Sequence, residues 1–362
     1  MEKRDVPFFC HPRKRSHCPR YFCCALLAFA VTLLYSGGAP QEAKAWNHGY
    51  KSLAAPSARR IPLESSPITE YAIPTANSRP YEITTGSDGN LWFPENTGNK
   101  IGKITPSGII TEYPLPTENS DSVGITSGPD GNLWFTEGTG NKIGKITLSG
   151  TITEYSLPTA NSNPLGITSG PDGNLWFTEY FANKIGKITP SGTITEYPLT
   201  ANSRAHEITA GPDGNLWFPE EEGNKIGKIT PSGTITEYSL PTANSVPVGI
   251  ASEADGTLWF TEILANKIGK ITPSGTIMEY SLPTANSAPV GITSGADGTL
   301  WFTEWTGNKI GKITPSGIIT EYATPTANST LWGITSGPDD NLWFTEWTGN
   351  KIGKIMPSGT VT

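Results

Sequence analysis

A Trp-Phe pair recurs at Trp92, Trp134, Trp176, Trp217, Trp259, Trp301 and Trp343, at steps of 42, 42, 41, 42, 42 and 42 residues. Self-similarity at such a period is the mark of a repeat architecture. One unit shows the plan: Gly166-Ile167-Thr168-Ser169, Leu175-Trp176-Phe177-Thr178-Glu179, Lys184-Ile185-Gly186-Lys187-Ile188 and Ile194-Thr195-Glu196-Tyr197. Each segment is short and rich in β-branched or aromatic residues, as strands are. Pro171-Asp172-Gly173 and Pro190-Ser191-Gly192 supply turn chemistry between them. No window carries a sustained 3.6-residue apolar period, so no helix is expected in the repeats. Four antiparallel strands per unit of about 42 residues predict propeller blades. The expected fold is therefore all-β, a seven-bladed β-propeller of four-stranded antiparallel blades spanning 68–362.

Leu and Phe of the Leu-Trp-Phe strand point to one face and Trp to the other, so both faces of a blade are apolar and need neighbours. The two Ile of Lys-Ile-Gly-Lys-Ile are three apart, and a bulge at the Gly is expected. An orphan strand, Ile68-Thr69-Glu70-Tyr71, precedes the first unit and is expected to complete the last blade. The truncated Thr360-Val361-Thr362 is the competing candidate.

The first 45 residues read as an export signal. Basic residues from Lys3 to Arg20 precede an apolar run, Tyr21 to Tyr35, and Ala43-Lys44-Ala45 offers a cleavage site. An uncleaved membrane anchor is the alternative, although the run is short of the roughly 20 residues a transmembrane helix needs. A lead-in segment, 46–67, follows. The expected location is secreted or extracytoplasmic, membrane-anchored if the signal stays on. All four Cys lie within the first 24 residues, so the body has no disulfide framework and no Cys-ligated metal. Residues 46–362 carry 19 Lys and Arg against 30 Asp and Glu, a formal charge of −11. That balance argues against nucleic acid and anionic membranes as partners. A monomer with a small-molecule or glycan ligand at the propeller mouth is the expected state.

Strand order places two sets of residues on one face. One set is the threshold residue leading into strand one: Tyr81, Val123, Leu165, His206, Val248, Val290 and Trp332. The other is the Glu ending strand two: Glu95, Glu137, Glu179, Glu220, Glu262, Glu304 and Glu346. Seven Glu near one mouth could hold Mg²⁺ or Ca²⁺. Equally, each could cap backbone N–H groups of its own loop. His206 breaks the pattern most sharply, with Arg204 before it, Glu207 in place of the usual Gly, and the acidic run Glu220-Glu221-Glu222 in the same unit. A His beside carboxylates can act as a general base; an exposed product of repeat drift is the alternative. Trp305, Trp332 and Trp347 make the other side aromatic, with Tyr81 beside them, a surface suited to a flat ligand or to packing between loops.

The repeat closely resembles that of the streptogramin B (virginiamycin B) lyases, over about residues 68–362. The phrases that carry it are Gly166 to Glu179, Asn141-Lys142-Ile143-Gly144-Lys145-Ile146 and Ile152 to Thr159. The resemblance implies a seven-bladed propeller that opens cyclic antibiotics by Mg²⁺-dependent elimination across an ester, with no water added. It implies a His base at a late-blade threshold, and a metal held by a Glu two residues earlier and by a strand-end Glu. Here those positions are Trp332, Thr330 and Glu346, and the penultimate threshold is Val290. The expected site is therefore displaced to the fourth unit, with His206 as base, Glu220 assisting, and Glu220 and Glu346 as metal ligands. The alternatives are a non-catalytic exported binding propeller and a lactonase-type hydrolase.

Overall fold

The computed structural model describes residues 67–357. The export signal, the lead-in up to Ser66 and the Thr360–Thr362 candidate lie outside the described residues. Seven four-stranded antiparallel sheets follow one another in chain order. Blade 2 is typical, with an inner strand Ser122–Ser127, then Leu133–Glu137, Lys142–Ile146 and an outer strand Ile152–Ser156. Inner strands of successive blades touch one another and so surround the axis.

Each blade is two-faced, as the strand pattern requires. Leu91 and Phe93 pack with Trp343 of the preceding blade, while Trp92 packs with Ile125, Leu133 and Phe135 of the next. All seven Trp of the Leu-Trp-Phe strands are fully buried. An aromatic side chain of this kind removes about 150–250 Å² from water, an upper-bound stabilisation of roughly 4–6 kcal/mol each. No blade keeps this alone, because every Trp needs the neighbouring sheet.

The Lys-Ile-Gly-Lys-Ile strand carries no bulge. Lys100–Ile104 pairs in unbroken register with Leu91–Glu95 and with Ile110–Pro114. Its two Ile face opposite sides, and both sides are interblade cores: Ile101 packs with one neighbour and Ile104 with the other. The Gly is there for a close approach. A Cβ on Gly144 would lie 2.1 Å from the Phe135 ring. The register shift falls instead in the inner strand, between Ser122 and Ile125 in blade 2.

The ring closes as the orphan strand foretold. Ile68–Ala72 pairs with Lys351–Ile355 as the outer strand of blade 7. A polar device repeats at each seam. In blade 1, the Lys100 ammonium lies 2.7 Å from Glu112, whose carboxylate accepts from the backbone N–H and hydroxyl of Thr75. At the closing seam the same roles fall to Lys351, Glu70 and Thr326.

Candidate functional site at the axial mouth

The seven threshold residues close one end of the axis. Each is 4% exposed or less. Their packing differs between two kinds of blade. In blades 2, 3, 5, 6 and 7 the next residue is Gly. A Cβ on Gly124, Gly249 or Gly291 would come within 2.4 Å of a carbonyl oxygen of the following blade. A Thr in strand two then locks the crowded backbones. The Thr136 hydroxyl accepts from Gly124 N–H at 2.9 Å and donates to Leu165 O of blade 3 at 2.7 Å. Thr178, Thr261, Thr303 and Thr345 repeat this bridge.

Blades 1 and 4 depart together. Both read Ser-Arg-x-(Tyr/His)-Glu-Ile-Thr, with Arg79, Tyr81 and Glu82 in one and Arg204, His206 and Glu207 in the other. Both replace the bridging Thr with Pro, at Pro94 and Pro219. Lacking the Gly and the hydroxyl, their inner strands keep only two paired residues, Thr84–Thr85 and Thr209–Ala210. A single bridge, Pro80 to Glu95 or Ala205 to Glu220, ties the threshold to strand two.

Five of the residues singled out from sequence converge here. Trp332 of blade 7 reaches across the axis, with ring centroids 4.3 Å from Tyr81, 4.7 Å from Trp305 and 6.2 Å from His206. Trp347 lies 5.9 Å from Trp305, and the Arg79 guanidinium stacks 4.1 Å over Trp347. Blades 4 and 7 are not neighbours, so the His206–Trp332 approach closes the mouth from opposite sides. Burial holds the His206 imidazole below its usual pKa, against the pull of Glu221. It therefore stays neutral near pH 7. Its Nδ1 makes no hydrogen bond and sits 3.7 Å from Glu207 Oε1. A neutral, unengaged imidazole nitrogen is what a proton acceptor requires.

Glu220 and Glu346 do not join this group. Glu220 is fully buried, with its carboxylate against Gly223, and interacts with Ser203, Glu237 and Lys225. Glu346 lies likewise against Gly349, Ser329 and Glu70. Burial pushes each up to about 7. The other strand-end Glu residues follow the same pattern, none accepting a hydrogen bond from its own loop. The loop is capped instead by Asn: the Asn99 side-chain oxygen accepts from Ser120 and its amide donates to Thr117 O. Besides Glu207, the carboxylate that acts on His206 is Glu221, which also meets the Tyr180 phenol. Among the described residues no three His, Cys, Asp or Glu side chains gather as a metal cage. Glu220 and Glu346, enclosed in separate blades, do not fit the divalent ion that the resemblance implies.

Comparison with known proteins agrees with the architecture. The family model of the virginiamycin B lyase family matches residues 58–255 and 200–362. The chain belongs to this family. A streptogramin B lyase structure superposes with a TM-score of 0.77 at 45% identity, covering 79% of this chain and 96% of that one. Virginiamycin B lyase from Staphylococcus aureus gives 0.77 at 46% identity, covering 80% and 98%. A catalytically inactive His-to-Ala form of that lyase with quinupristin gives 0.77 at 45% identity, with the same coverage. The Bacillus licheniformis virginiamycin B lyase is 51% identical over 41 residues, only 11% of this chain and 14% of that relative.

Sequence reasoning missed Glu82 and the pairing of blades 1 and 4, and named Glu221 only as part of the acidic run. The signal was present: Glu for Gly, Pro for Thr and Arg before the threshold change together in the same two repeats.

Proposed function

We propose that the protein is an exported, monomeric lyase that opens a cyclic, ester-containing substrate of the streptogramin B type, with His206 as the base. The observation that carries this reading is the buried, neutral His206 imidazole, its Nδ1 unengaged, at an aromatic mouth of a family propeller. His206 takes a proton from the carbon next to a carbonyl. The C–H electrons form a carbon–carbon double bond as the adjacent carbon–oxygen bond breaks, and the ester oxygen leaves as a carboxylate. No water is consumed. Glu221 faces the imidazole and favours the imidazolium that the step creates. Trp305, Trp332, Trp347 and Tyr81 supply flat apolar contact for the ring of the substrate. Glu220 and Glu346, in separate blades, form no joint donor set for Mg²⁺.

The test is incubation with a streptogramin B antibiotic, with and without Mg²⁺ and EDTA, followed by product mass. A linear product of unchanged mass, lost in His206→Gln, is expected; loss of a general base costs about 10²–10⁴-fold in rate. A mass gain of one water would indicate a hydrolase. Untouched substrate at high protein concentration would favour a non-catalytic binding propeller. Trp332 at the late-blade threshold, where the resemblance implies a His, favours that second reading.

A further inference from the structure

Glu82 and Glu207 are the two acidic side chains of the axial layer, at the position where five blades have Gly. The Glu82 carboxylate lies against blade 7, with its Oε2 2.8 Å from where a Cβ of Gly333 would stand. The Glu207 Cα packs equally close to Gly166 of blade 3. The Glu207 side chain keeps 19% exposure, while its Oε1, facing His206, is buried. Both carboxyls are pushed up by burial, Glu82 further by the charge of Glu207, and Glu207 to about 7.

No Lys or Arg offsets either group. The contrast with the rest of the protein is sharp, because each seam Glu has a Lys within 2.7 Å. The two nearby arginines are used elsewhere. Arg79 stacks on Trp347, and Arg204 pairs with Glu222 and lies over Tyr180 and Phe181. Above the carboxyls stand unengaged polar atoms on side chains more than nine-tenths buried. The Tyr81 hydroxyl feels the charge of both Glu207 and Glu82, and His206 Nδ1 faces Glu207; neither has a hydrogen-bond partner. The wall beside them is the Trp332 and Trp305 indoles.

We propose that the Glu82–Glu207 pair, with Tyr81, His206 and Trp332, is a recognition subsite for an organic cation, a protonated amine or quaternary ammonium group. A ligand cation can supply the countercharge that no side chain provides, and aromatic faces together with carboxylates suit an alkylammonium. A bare divalent ion fits poorly, because it needs six or more oxygen ligands or water, and the walls are indole and phenol rings. The subsite shares Tyr81, His206 and Trp332 with the mouth where the elimination is proposed, and it is read by binding, not turnover.

Tetramethylammonium chloride is titrated into the purified protein at pH 8.5 and pH 5.5, followed by calorimetry and tryptophan fluorescence. The uncharged tert-butanol and MgCl₂ are run alongside. Saturable tetramethylammonium binding is expected at pH 8.5, at least tenfold weaker at pH 5.5, where Glu207, pushed up to about 7, is protonated. Glu82→Gln/Glu207→Gln should weaken it tenfold or more. Trp332→Leu should weaken it several-fold, which keeps a readout if the double variant folds poorly. Equal binding of tert-butanol, no saturation at either pH, binding unchanged in both variants, or displacement by millimolar MgCl₂ would overturn the proposal. Failure of the elimination reading is distinguishable, since an antibiotic left intact alongside normal ammonium binding removes the lyase and keeps the subsite.

Discussion

Blades 2, 3, 5, 6 and 7 and blades 1 and 4 solve the same axial crowding in two ways. The first group removes the side chain with Gly and ties adjacent inner strands together through a Thr hydroxyl. The second accepts a Glu, gives up the hydroxyl with Pro94 or Pro219, and lets the inner strand shrink to two paired residues. The difference teaches where this ring spends its regularity. Five blades hold the axis closed. Two loosen it and place charge and hydrogen-bonding capacity there, and those two also carry the Tyr81 and His206 thresholds.

The largest effect should come from forcing a side chain into the Gly class without its compensations. Gly249→Ala places a Cβ 2.2 Å from Val290 O and 3.1 Å from the Thr261 hydroxyl. Backbone cannot yield cheaply in a packed ring, so a loss at the upper end of overpacking, about 3 kcal/mol, is expected in urea unfolding. A loss below about 0.5 kcal/mol would mean that the two blade classes are not separated by sterics.

The next test uses pH, and the sign follows from the direction of the shifts. All seven strand-end Glu residues are raised by burial, Glu95 and Glu137 to about 8 and the other five to about 7, from 4.5. Between pH 4.5 and 8 the folded state therefore holds more protons than the unfolded chain, and stability must fall as pH rises. The seam and turn carboxylates are lowered instead, so they act below this window. His206, also lowered, opposes the trend near pH 6, but it is one group against seven. A Tm lower by several degrees at pH 8.5 than at pH 5.5 is expected. Glu82→Gln/Glu207→Gln should flatten the slope, because only blades 1 and 4 add axial carboxyls to the common seven. A Tm that climbs over this range would remove the buried-acid account.

Most of the fold was legible because a repeat presents its own comparison. The Trp-Phe spacing, the two-faced Leu-Trp-Phe strand and the orphan Ile68–Tyr71 strand each mapped onto a blade, a seam or the closure. The error at Lys-Ile-Gly-Lys-Ile had a simple origin. The two apolar faces read from Leu-Trp-Phe apply to this strand as well, so Ile residues three apart need no bulge and each finds a core. The aromatic mouth was legible where single positions departed from the repeat, as at His206 and Trp332. Glu220 was harder. The last residue of strand two turns into its own blade, and the following Glu221 faces His206, a choice that depends on how the chain leaves the strand. That Trp332 meets His206 across the axis depends on ring curvature, which no local pattern encodes.

The smallest effect, and the most discriminating, comes from converting one blade class into the other. Glu207→Gly with Pro219→Thr gives blade 4 the residues of its five counterparts. The new Thr hydroxyl should bridge the residue-207 amide to Val248 O of blade 5, as Thr178 bridges Gly166 to His206 O. Two net hydrogen bonds and one fewer buried carboxyl argue for a gain of about 1–2 kcal/mol. Added glycine freedom in the unfolded chain returns up to about 1 kcal/mol of that. A modest rise in stability, measured by urea unfolding at pH 7, together with loss of ammonium binding, would mean that blade 4 departs from the repeat for the sake of the mouth. A clear loss of stability would instead make the Glu and Pro part of the scaffold, needed where the inner strand turns to present His206.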